Sequence, residues 1–170
     1  TVSPDRIQQA IEYGITIVGE NRVQEAEKKI QRVEAECKWH FIGHLQRNKA
    51  RIAVRSFDMI QSLDSIRLAS AIDRAAKNLG RIIDVLVQVN IGREASKFGI
   101  KPEEVSEFVH KISGLSNIKV KGLMTIPPYT DKPDDVRPYL KNMRKLFEKT
   151  KGLKIDGVEM KYLSMGMTHD

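Results

Sequence analysis

Only one cysteine, Cys37, stands in the 170 residues, so no internal disulfide can staple the chain and its core must come from packing alone. That fits a reducing compartment, and a cytoplasmic location is the expectation. No apolar run approaches the roughly 20 residues a helix needs to cross a bilayer. No G-x-G-x-x-G occurs, which removes the fingerprint of a dinucleotide-binding doubly wound sheet. Internal repeats, low-complexity tracts and linkers are missing too, and 170 residues suffice for one well-buried domain but not for two ordinary ones. One domain over residues 1–170 is therefore expected. The chain opens on Thr1 rather than on Met, which leaves room for a segment upstream.

What is present is the composition of a soluble globular protein, 41% hydrophobic and 30% charged, with a formal net charge of +7. The stretch QRNKARIAVR, residues 46 to 55, gathers Arg47, Lys49, Arg51 and Arg55, and one reading of it is a basic RNA-binding module. Lysines and arginines elsewhere alternate with glutamates at helical spacing, the habit of solvated helix faces, so a nucleic-acid partner is not the expectation. The same charge favours an anionic small molecule by steering.

One pattern recurs along the chain. SPDRIQQAIEYG (3–14) reads as a short helix, with Ser3 as N-cap, Pro4 at its first position, Ile7 and Ile11 on one face and Gly14 as the stop. Apolar runs then appear at 15–19, 39–43, 59–63, 83–91, 120–126 and 161–165, with amphipathic helical stretches between them. Strands alternating with helices imply parallel pairing through right-handed crossovers, as in a doubly wound sheet or a (β/α)8 TIM barrel. Strand ends distinguish the two. Glu20-Asn21, His44 with Gln46, Ser62-Asp64, Gln88-Asn90, Met124-Thr125 and Ser164-Met165-Gly166 put polar and small residues at the carboxyl end of every strand. A barrel, whose loops converge on one rim, has that requirement.

The segments VGENRVQEA (18–26), WHFIGHLQRNK (39–49), QVNIGREASKFGI (88–100), GLMTIP (122–127) and LSMGMTHD (163–170) resemble, in order, the motifs of the pyridoxal-phosphate homeostasis protein family. The resemblance implies a (β/α)8 barrel of the alanine racemase N-terminal type with pyridoxal 5'-phosphate at its mouth. It further implies that the strands present are the second to the seventh, with the first and eighth outside the sequence. The lysine that carries the cofactor as a Schiff base would then lie one residue upstream of Thr1.

Seven residues follow as candidates for holding the cofactor. Ser164, Met165 and Gly166 offer a hydroxyl, an unencumbered backbone and N–H groups of the kind a phosphate dianion needs. His44 and Gln46 are expected to shape the pocket, His44 sharing a strand face with His40 by alternation. Asn21 suits either a hydrogen bond at the cofactor or the N-cap of a helix starting at Arg22. Met124 suits either the pyridine ring or the core. Two histidines four apart on a strand, without a third ligand, suggest no metal. Among the lysines present, Lys97 alone is expected near the mouth, in a flexible, solvated loop.

The resemblance implies a carrier that binds pyridoxal phosphate and delivers it to apo-enzymes without turnover; a monomer is expected. The alternative is a pyridoxal-phosphate-dependent racemase or lyase. Racemisation needs a proton donor on each face of the substrate, and of the four tyrosines only Tyr129 follows a strand closely enough to approach the mouth.

Overall fold

Val, Ile, Leu and Met supply most of the buried strand residues, as in parallel strands packed between layers. The computed structural model describes residues 2–166. Its strands are β1 (Ile17–Glu20), β2 (Lys38–Phe41), β3 (Met59–Leu63), β4 (Ile83–Gln88), β5 (Ile118–Thr125) and β6 (Val158–Met165). They pair in parallel in chain order, β1-β2-β3-β4-β5-β6. A doubly wound sheet must reverse its strand order at a switch point, and this one never does. With right-handed crossovers, sequential order sends every connecting helix to the same face, the arrangement of a barrel wall. The fold is α/β, a six-stranded part of a (β/α)8 barrel.

The helices are α1 (Pro4–Glu12), α2 (Val23–Ile30), α3 (Ala50–Ser56), α4 (Ile66–Asn78), α5 (Val105–Ser113) and α6 (Pro133–Gly152). Ser3 occupies the cap position of α1 in extended conformation, without a side-chain bond. Ser65 caps α4 through its hydroxyl, which accepts from the Leu68 N–H at 3.3 Å. At the far end of α3 the Arg81 guanidinium donates to the Val54 carbonyl at 2.6 Å and the Phe57 carbonyl at 3.2 Å, satisfying groups the helix leaves bare.

The main core lies between sheet and helices. It takes Ile60, Val85, Val87 and Leu123 from the strands and Val54, Ile72, Val109 and Met143 from the helices. Phe41 and Phe57 meet there edge to face, centroids 5.2 Å apart. The inner face of the same strands carries a separate small cluster of Met59, Leu86 and Met124. Central strands β3, β4 and β5 are largely buried, whereas β1 and β6 form the two sheet edges and are half open. Among the described residues β1 and β6 do not pair with each other.

At the amino end of the sheet the Asp58 carboxylate accepts from the Trp39 N–H at 2.8 Å, and Asp73 accepts from the Asn117 backbone N–H at 2.8 Å. These bonds close the turns that enter β3 and β5. The carboxyl rim is left to carry the chemistry. No described helix is long and apolar enough to cross a membrane.

Candidate cofactor site

Five of the seven candidates converge at the carboxyl rim. Asn21, Met124, Ser164, Met165 and Gly166 line one cavity of about 460 Å³, together with Ile42, Gln61, Thr125, Ile126 and Tyr129. That volume falls in the range of small-ligand sites, roughly 300–1,000 Å³.

Each residue is held there by an identifiable device. Glu20, the last residue of β1, forms a buried ion pair with Lys29 of α2, fixing the strand end one residue before Asn21. Helix α2 begins at Val23 with Arg22 in the cap position and no side-chain cap bond. Asn21 is thus not the cap, and its amide is left to the cavity. Gly43 presses on the Asn21 backbone so closely that a Cβ there would collide with the Asn21 carbonyl oxygen. The sequence reading missed Gly43, whose only signal was a glycine directly after an apolar run.

Opposite Asn21, Met124 on β5 stands level with Ser164 on β6, and Thr125 with Met165. Met124 is 3% exposed and belongs to the inner cluster, so it is both core and cavity wall. The Thr125 hydroxyl donates to the Val89 carbonyl at 2.7 Å and is committed there. The Ser164 hydroxyl has no hydrogen-bond partner among the described residues. Gly166 turns at φ +112°, a conformation that side chains resist.

His44 and Gln46 do not line this cavity. Strand β2 ends at Phe41, so the alternation that would carry His44 to the face of His40 has already lapsed. His44 stacks on Phe98 with centroids 3.5 Å apart and an 11° tilt, and its Nδ1 lies 3.5 Å from the Asp64 carboxylate. Burial pushes the Asp64 carboxyl up against the opposing pull of His44. Both His44 and Gln46 border a smaller cleft that they share with Asn21.

Deeper on the inner face, His40 is buried and its Nδ1 accepts from the Gln61 amide at 2.9 Å, which leaves the neutral ring's proton on Nε2. Burial is the main cause that holds His40 below the ordinary imidazole value. Lys97 is neither loose nor in the cavity. Its ammonium donates to the Pro127 carbonyl at 2.8 Å and pairs with Glu94 at 2.7 Å. The Asn90 amide pins the same loop by donating to the Glu94 and Lys97 carbonyls. Tyr129 is 67% exposed and donates to Asp131 at 2.9 Å. Among the described residues no cluster of three or more metal-ligating side chains occurs.

A parallel barrel wall in chain order, with its polar strand ends drawn to one rim, defines a class, and sequence comparison agrees with it. The chain belongs to the alanine racemase N-terminal domain family, whose model matches residues 5–170. Within that family it stands with the pyridoxal phosphate homeostasis proteins. The protein of that name from Aquifex aeolicus (strain VF5) is 42% identical over 171 residues, covering 100% of this chain and 74% of the relative. Among solved structures, PipY of Synechococcus elongatus PCC7942 without PLP superposes with a TM-score of 0.92 at 33% identity, covering 99% of this chain and 79% of that one. PipY with PLP bound gives 0.88 at 32% identity, covering 99% and 78%.

Proposed function

We propose that this chain binds pyridoxal 5'-phosphate in the rim cavity and serves its homeostasis in the cytoplasm, as a monomeric carrier that passes the cofactor to apo-enzymes without turnover of its own. The residues fit the group. Ser164, with the backbone of Met165 and Gly166, would hold the phosphate. Met124 and Ile42 offer the ring an apolar wall, and the amides of Asn21 and Gln61 meet its polar substituents. His44 and Gln46 act at one remove, shaping the cleft beside Asn21.

When bound, pyridoxal phosphate supplies an electrophilic aldehyde and an electron-withdrawing ring. The single observation that carries the carrier reading is the chemistry of the remaining wall. Among the described residues, the only titratable side chain lining the cavity is Tyr129, and its hydroxyl is turned to Asp131. Hydroxyl, amide and thioether groups bind and orient, but none of them exchanges protons readily near neutral pH. The kinship with pyridoxal phosphate homeostasis proteins and the PLP-bound neighbour support the choice of ligand.

The test is equilibrium dialysis of pyridoxal phosphate against the chain and its Ser164→Asp variant. A carboxylate placed against a phosphate dianion should weaken binding at least about tenfold. Unchanged affinity would remove the rim assignment. Turnover is checked separately by chiral chromatography of L-alanine incubated with the loaded protein, and racemisation above that of free cofactor would contradict the carrier reading.

A further inference from the structure

A second cavity is larger than the rim site. It is a groove of about 880 Å³ on the outer surface between α3 and α4. Arg47 and Arg51 stand on one wall, and Arg67 and Arg74 on the other. All four are exposed. Most of the other arginines are engaged: Arg22, Arg55, Arg93, Arg137 and Arg144 each face a carboxylate and Arg81 caps α3, while Arg6 and Arg32 stand exposed away from the groove. None of the four groove arginines has a partner among the described residues. The one carboxylate in the lining, Asp64, is already paired with His44.

Four unpaired guanidinium groups facing one another across a groove repel, and like charges one helical turn apart cost a helix stability. The floor between them is apolar and small, built from Leu68, Ala71 and Ala75. Arg67 and Arg74 are two turns apart on a 13-residue helix about 20 Å long, so the groove matches the length of a short helix. We infer that this groove is a docking site for an amphipathic helical segment of a partner protein, with a small apolar face on the Ala floor and acidic residues along both flanks. Charge complementarity and the apolar floor together select that occupant. A single-stranded nucleic acid would match the charge but not the floor. Its bases need aromatic platforms, and the one ring in the lining, His44, has a face taken by Phe98. The groove and the rim cavity share no residue, although His44 and Gln46, which border the cleft beside Asn21, also line the groove; the four arginines belong to the groove alone.

The probe is a fluorescein-labelled synthetic peptide of about four helical turns, with Leu and Ala on one face and Glu on its flanks. Anisotropy is read beside a scrambled peptide of the same composition and an oligouridylate of the same charge. The amphipathic peptide should bind best, and the double reversals R67E/R74E and R47E/R51E should each weaken it at least about tenfold. Retained affinity in either reversal overturns the proposal. So does equal binding of the scrambled peptide, or tighter binding of the oligouridylate. Circular dichroism reports the fold, and if a reversal unfolds the chain, the neutral pair R67Q/R74Q or R47Q/R51Q decides the same comparison.

Discussion

The two faces of one sheet are made from alternate residues of the same strands, yet they have opposite characters. Outward, Phe41, Ile60, Val85, Val87 and Leu123 pack beneath the helices in one continuous core. Inward, the same strands present His40, Gln61, Met59, Leu86 and Met124, where three apolar side chains stand among polar ones. Close packing governs the first face, so a lost methylene leaves a void that neighbours cannot fill. The second face borders open cavities and tolerates polar groups because they find partners, as His40 finds Gln61. Stability thus resides mainly outside the sheet, and ligand chemistry inside and at its rim.

Substitution separates the two most sharply at Phe57. This side chain is 1% exposed and packs edge to face on Phe41. Phe57→Ala should cost about 3–5 kcal/mol in denaturant unfolding while the variant, when folded, keeps its affinity for pyridoxal phosphate. A parallel loss of affinity would mean the faces are not separable. At the rim the pattern should invert. Gly43→Ala forces the Asn21 backbone to shift and should cost about 1–3 kcal/mol. Its larger signature is in dialysis, where cofactor affinity should fall at least about tenfold. An affinity equal to that of the parent would show that Asn21 takes no part.

The inner face also carries a pH signature. His40 is held below the ordinary value of 6.5, chiefly by burial and against the pull of Asp58 and Asp84. The unfolded chain therefore takes up a proton below about pH 6.5 that the folded chain resists. Stability is full above that pH and falls as acid is added. His40→Gln should flatten this decline between pH 7 and 5, read as the urea midpoint at each pH. An undiminished decline would place its origin in other groups.

Much of this was legible in the sequence, for reasons that particular segments make plain. MIQSL was read as a strand over 59–63, and β3 occupies Met59–Leu63. A buried central strand announces itself as an apolar run bounded by polar residues. Edge strands do so less well. KYLSM was read from 161, while β6 starts at Val158, because Glu159 and Lys161 on a half-exposed edge break the run. The reading of 39–43 as strand placed His44 on the face of His40. The ladder stops at Phe41 instead, where Gly43 passes against Asn21, and period two says nothing once pairing has ended. Lys97 looked free because its restraints, the Pro127 carbonyl and the Asn90 amide, depend on loop geometry that no periodicity reports. Convergence of Asn21, Met124 and Ser164 followed from a more robust rule, that carboxyl ends of parallel strands share one rim.

Hydrogen–deuterium exchange with and without saturating pyridoxal phosphate tests this division most directly, since it reads every segment in one experiment. Exchange should slow at 20–22, 124–126 and 163–166, the rim segments, and stay unchanged in α3 and α4 around the arginine groove. Protection confined to α3 and α4, with the rim segments unaffected, would contradict the assignment of the cofactor to the inner rim.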